Sequence, residues 1–191
     1  MQFLNSKTHW GIISILFHWL SAITIIGLFV LGLWMVELNY YDQWYKTAPA
    51  LHKSFGIVLL IITFSRIIWR SLNISPESLV DKNSKEKKLA SQIQLLLYVL
   101  LISIMLSGYL ISTADGRAII VFNWFEVPAT LQNIEQQEDL AGNIHYWLAL
   151  SLISLIILHT LASLKHHFVY KDNTLKRILG LNLKSTQQEE L

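Results

Sequence analysis

Three stretches of this 191-residue chain carry no Asp, Glu, Lys or Arg: Thr8 to Val36, Leu89 to Ala114 and Leu140 to Leu164. Each exceeds the roughly 20 apolar residues that a helix needs to cross a hydrocarbon core. Only helices or closed barrels satisfy their backbone groups in lipid, and uninterrupted apolar runs of this length select helices. A fourth stretch, Leu51 to Trp69, is interrupted only by Lys53 and Arg66 near its ends, where long basic side chains snorkel to the interface. The overall charged fraction of 15% fits this reading, since soluble chains average about 25%. The expectation is an all-α, polytopic four-helix membrane bundle in one domain over 1–191, with spans over 10–37, 50–71, 89–113 and 140–165 and a flexible tail over 180–191.

Basic residues set the threading. With the first tail inside, the inner segments hold Lys7, Arg66, Arg70, Lys82, Lys85, Lys87, Lys88, Lys165, Lys171, Lys176, Arg177 and Lys184, twelve of the fifteen Lys and Arg. The outer segments hold Lys46, Lys53 and Arg117. Both termini are therefore expected in the cytoplasm. The first span is longer than a signal-peptide h-region and no A-x-A-like site follows, so it is expected to remain in the mature protein. The connection containing Pro76 reads as a solvated linker. After the third span, Asp115-Gly116 marks a turn. Ile119, Ile120, Phe122, Trp124 and Phe125 then lie in the interface or cover the outer end of the bundle. No repeat, phosphate loop or nucleic-acid module is present, so the bilayer is the evident partner.

The chain has no cysteine, which excludes thiolate ligands, disulfides and covalent haem attachment through C-x-x-C-H. Metal chemistry is left to histidine. In this threading His18 and His159 lie near the inner ends of the first and last spans, about 12 and 9 Å deep by helical rise. His52 and His145 lie near the outer ends of the second and fourth. An imidazole in hydrocarbon is costly, and two depth-matched pairs are harder to assign to packing than one residue. Two neutral imidazoles on facing helices suit the axial positions of a planar haem, whereas zinc wants a tetrahedral set. Gly27, Gly32, Gly56 and Gly108 lie in the spans and could make room for a macrocycle, although small residues also serve ordinary helix packing. His166 and His167 read as interfacial, near a haem propionate at most, and His9 as an interfacial neighbour of Trp10.

Four blocks carry a specific resemblance: FHWLSA around His18, ELNYYDQWYKTAPALHKSFGI around His52, SGYLISTADGRAI after the third span, and IHYWLALSLISLIILHTLASLKHHFVYKDNTLKRIL at the end. In order, and over nearly the whole chain, they resemble the bacterial cytochrome b561 family. That resemblance implies an inner-membrane protein with two b-type haems that passes electrons to or from a quinone such as ubiquinone. His18 and His159 would bind the inner haem, and His52 and His145 the outer one. Arg66, Arg70 and Arg117 are further candidates, as partners of haem propionates, with phospholipid headgroups competing for the same cations.

Three readings stand beside one another. A bis-histidine haem has no open iron site and favours electron transfer, with an outer-side or membrane donor, quinol and superoxide among the possible donors. A histidine-lined proton or metal-ion transporter would want a polar path, which the three charge-free spans do not supply. A structural subunit of a larger respiratory complex is the third. The acidic residues Asp115, Glu126, Glu135, Glu138 and Asp139 argue against a strongly positive outer face, which places quinone chemistry ahead of superoxide oxidation.

Overall fold

The computed structural model describes residues 2–79, 85–131 and 134–181. The expected tail therefore lies almost wholly outside the described residues, as do Lys82 and Lys184. Four long helices dominate the fold: α1 (Ile12–Met35), α2 (Thr47–Leu72), α3 (Lys85–Ser112) and α4 (Gln137–Phe168). All four are long and apolar enough to cross a membrane. Many large apolar side chains on them are exposed, among them Leu20, Ile23, Val30, Ile61, Leu95 and Leu161. Such surface would be untenable in water and is what hydrocarbon requires. Pro49 sits in the first turn of α2, where its missing N–H costs no helical bond. Several hydroxyls within the spans are satisfied by their own helix: Ser21 donates to Phe17 O at 2.6 Å, Thr63 to Leu59 O at 2.7 Å and Ser154 to Leu150 O at 2.8 Å.

The helices associate as two layers, α1 against α2 and α3 against α4, with lighter contact of α2 with α3 and of α1 with α4. Halfway along the bundle, Leu59, Leu101 and Leu152 form a buried apolar cluster, flanked by Ile25, Leu28, Leu97, Leu100, Ile104, Met105 and Ile156. Leu59 lies two turns after His52, and Leu152 lies midway between His145 and His159.

One end of the bundle gathers the N-terminal segment, the connection after α2 and the segment that follows α4. Asn5 donates to Ile74 O at 2.9 Å, the Glu77 N–H donates to Lys7 O at 2.8 Å, and Arg177 donates to Glu77 O at 2.8 Å. A short fifth helix, α5 (Thr174–Ile178), lies at this terminal end, where Trp19 Nε1 donates to Ile178 O at 3.0 Å. Asp172 ties α5 to α4: one carboxylate oxygen accepts from the Thr174 N–H at 2.8 Å and the other pairs with His166 Nδ1 at 2.6 Å. Partial burial pushes the Asp172 carboxyl upward, but the bonds from Thr174 and His166 outweigh it and hold the group below the usual carboxylate range. Neither α5 nor this clasp was expected from the sequence.

The opposite end is closed by an antiparallel hairpin, β1 (Ile119–Val121) and β2 (Phe125–Val127), in the register Ile119↔Val127. The expected cover over the bundle is therefore a strand pair. Ile119 and Val121 point inward and are buried, while Ile120, Trp124 and Phe125 are exposed. Ser54 on α2 accepts from the Phe122 N–H at 3.2 Å, and the Phe122 ring meets Phe55 at 5.0 Å.

Candidate cofactor site

The four intramembrane histidines fall at two levels set by helix position. At the hairpin end, His52 in the second turn of α2 and His145 in the third turn of α4 lie close together, with ring centroids 6.2 Å apart and planes at 69°. Imidazole–metal bonds of about 2.0–2.1 Å put two axial nitrogens about 4 Å apart, and the ring radii bring the centroids to about 6 Å. Each ligand turns freely about its own metal bond, so the angle between planes is no obstacle. The separation of the pair is compatible with two imidazoles that would hold one metal between them.

Hydrogen bonding supports the same use of His145. Its Nδ1 lies 3.0 Å from Ile104 O and 3.1 Å from Ser107 Oγ. A carbonyl can only accept, so Nδ1 carries the hydrogen and Nε2 keeps its lone pair for a metal. His52 Nδ1 is buried without a hydrogen-bond partner, an uncompensated polar atom of the kind that attends a ligand site.

Glycines shape the surroundings. A Cβ at Gly32 of α1 would stand 3.3 Å from His52 Cε1, and one at Gly108 of α3 would stand 3.1 Å from His145 Cε1. Each hairpin-end imidazole is thus admitted by a glycine on the neighbouring helix, and all four helices contribute to this level. Gly56 and Gly142 flank the two histidines about one turn away on their own helices, and a Cβ at either would meet no heavy atom within 4 Å. That breadth beside paired imidazoles suits a planar macrocycle. Gly27 is likewise free of close neighbours.

At the terminal end, His18 on α1 and His159 on α4 lie within electrostatic reach of one another and of Arg66. Arg66 Nη2 lies 3.2 Å from His18 Nδ1, and its guanidinium stands 5.5 Å from the centre of the Tyr98 ring. No carboxylate pairs with Arg66 among the described residues. The Tyr98 hydroxyl is buried beside it without a geometrically sound partner. Once Nε2 of His18 is given to a metal, Nδ1 carries hydrogen and cannot accept from Arg66, which leaves the guanidinium for an anion.

The remaining basic candidates have other partners. Arg70 donates to Gln94 Oε1 at 2.9 Å. Arg117 pairs with Asp115 on the exposed rim, its side chain 85% accessible; hydrogen bonds from Arg117 hold the Asp115 carboxyl below its ordinary range. His166 is engaged by Asp172, His9 by Thr8 at 2.8 Å, and His167 Nδ1 is buried without a partner. Among the described residues, no three His, Asp or Glu side chains converge as a metal-ion site. Gly142, Tyr98 and Ser107 were not singled out from the sequence. For Gly142 the one available signal was its position three residues before His145, on the same helix face.

Comparison with known proteins adds lineage to this geometry. The model of a family described as prokaryotic cytochrome b561 matches residues 9–181. The chain is 51% identical to Cytochrome b561 homolog 2 of Escherichia coli (strain K12) over 180 residues, 94% of this chain and 96% of that protein. It is 29% identical to the Probable superoxide oxidase CybB of Yersinia pestis, covering 85% of this chain and 90% of that one. Cytochrome b561 homolog 1 of Escherichia coli (strain K12) is 27% identical, over 87% and 94% of the respective lengths.

Proposed function

Because this chain belongs to the prokaryotic cytochrome b561 family, and is therefore a multi-pass bacterial membrane protein of a class that carries b-type haem, we propose that it passes electrons across the inner membrane through two bis-histidine haems. His52 and His145 bind the haem at the hairpin end, which faces outward. His18 and His159 bind the one at the terminal end, which faces the cytoplasm. Haem held by these histidines would supply a one-electron Fe(II)/Fe(III) couple suited to electron transfer. The chain holds His52 and His145 close together, fixes the His145 tautomer through Ile104, and offers Arg66 to an inner propionate. A membrane or outer-side donor delivers electrons, and a quinone is the exchange partner within the bilayer.

The observation that carries this reading is the 6.2 Å separation of the His52 and His145 rings within a glycine-lined space. The test is pairwise loss. His52→Ala and His145→Ala should each remove one haem of two, and His18→Ala and His159→Ala the other, as read by haemochrome assay and the reduced α band. Four single variants that all keep two haems per chain would overturn the assignment.

Superoxide as donor is the second reading, favoured by the similarity to a protein named as a probable superoxide oxidase. The Arg117–Asp115 pairing works against a concentrated positive charge on that face. Stopped-flow reduction of the oxidised protein by superoxide, fast, salt-sensitive and lost in Arg117→Ala, would reverse the order of the two.

A further inference from the structure

The two histidine levels differ in the groups that flank their imidazoles. We propose that Arg66, acting against the hydrogen bonds from His145 to Ile104 and Ser107, sets the reduction potential of the terminal-end centre above that of the hairpin-end centre. The sequence of centres then runs downhill from the outer face inward. This rests on the bis-histidine reading given above.

At the terminal end, a guanidinium that stays protonated lies 3.2 Å from His18 Nδ1 with no carboxylate partner among the described residues. A fixed cation inside the bundle acts through a low effective dielectric and favours the form of the centre with one more electron. A propionate beside Arg66 does not cancel the argument, because removing the guanidinium makes that level one charge more negative in either case. The other charges there do less. Arg70 is exposed and bonded to Gln94, Lys165 is exposed to screening water in the last turn of α4, and His166 and Asp172 are engaged with one another.

At the hairpin end the histidine interaction has the opposite sense. The Nδ1–H of His145 donates to a backbone carbonyl at 3.0 Å, with the Ser107 hydroxyl at 3.1 Å. Donation to an acceptor makes the imidazole a stronger base toward its metal and stabilises the oxidised form. Lys46, Lys53 and Arg117 are the cations toward this end, and all are exposed; Arg117 is also neutralised by Asp115. Transfer between the levels moves one electron, the outer iron passing from ferrous to ferric and the inner from ferric to ferrous, with no bond made or broken.

The experiment is a mediated potentiometric titration of the full-length purified protein, following the two α-band components, with haem content measured in parallel. Arg66→Gln should lower the higher-potential component by tenfold or more in its reduction equilibrium, about 59 mV for one electron, and leave the lower one in place. Arg66→Lys keeps the charge and should stay within threefold of wild type. Ser107→Ala should raise the lower-potential component alone. The proposal is overturned if Arg66→Gln, with two haems retained, leaves the higher component unmoved or shifts the lower one, or if Ser107→Ala shifts the higher. Should Arg66→Gln lose haem, the lysine and Ser107 variants decide by the same criteria. Fewer than two haems in the wild-type chain would instead defeat the underlying two-haem reading.

Discussion

A single added carbon separates the demands of the fold from those of the cofactor. Alanine in place of glycine within a helix gains about 1 kcal/mol in propensity, so the surroundings decide the sign. At Gly108 a Cβ would press on His145 Cε1 at 3.1 Å, and that ring is held by Ile104 and cannot easily yield. Overpacking costs about 1–3 kcal/mol, so Gly108→Ala should be net destabilising in denaturant unfolding and should deplete the hairpin-end haem first. Gly142→Ala should behave differently. Its Cβ meets nothing within 4 Å in the chain itself, so the haem-free protein should be no less stable, while haem loading at that end falls. Equal loading in wild type and Gly142→Ala would remove Gly142 from the site. The histidines were legible in the sequence because imidazole is conspicuous in an apolar run. Gly142, Ser107 and Tyr98 were not, since small and hydroxylated residues are common in membrane helices and take on meaning only through partners on other helices.

Helices and hairpin differ in how far the sequence announced them. The spans follow directly from charge-free length, which dominates every local preference in lipid. The hairpin was read only as an apolar cover because its turn lacks the usual glycine: Phe122 and Asn123 adopt φ of 48° and 59°, a region that disfavours bulky side chains. Tertiary contacts hold that turn, with Ser54 accepting from the Phe122 N–H and Phe55 meeting its ring. Ser54→Ala strands a part-buried backbone donor and should cost about 1–3 kcal/mol, seen as faster hydrogen exchange at the Phe122 amide with the helix cores unchanged. At the other end, the clasp of α5 depends on ionised Asp172. Its carboxyl titrates lower in the folded chain than in the unfolded one, so the contribution is complete above the unfolded value near pH 4 and is lost as pH falls through the folded one. Exchange at the α5 amides should accelerate over that acidic window, and Asp172→Asn should abolish the pH dependence.

For the molecule as a whole, orientation rests on the distribution of basic residues, and the gathering of the N-terminal segment, the Pro76 connection and α5 at one end fits an even number of crossings. Reporter fusions after Pro76 and at the C-terminus should report the cytoplasm, and fusions near Asp42 or Glu135 the outer side; a cytoplasmic signal at Glu135 would invert the assignment of the two histidine levels. Between those levels stands the cluster of Leu59, Leu101 and Leu152, in a gap of fourteen residues of α4, about 21 Å of rise. Electrons tunnel through such a layer, whereas protons need a chain of polar groups. In the proposed wiring the leucines are therefore the dielectric of a molecular capacitor. Each inward transfer charges it across roughly two-thirds of the hydrocarbon thickness, so a 100 mV inside-negative potential opposes that step by roughly 1–2 kcal/mol, and respiration can throttle the flow electrically without touching either centre.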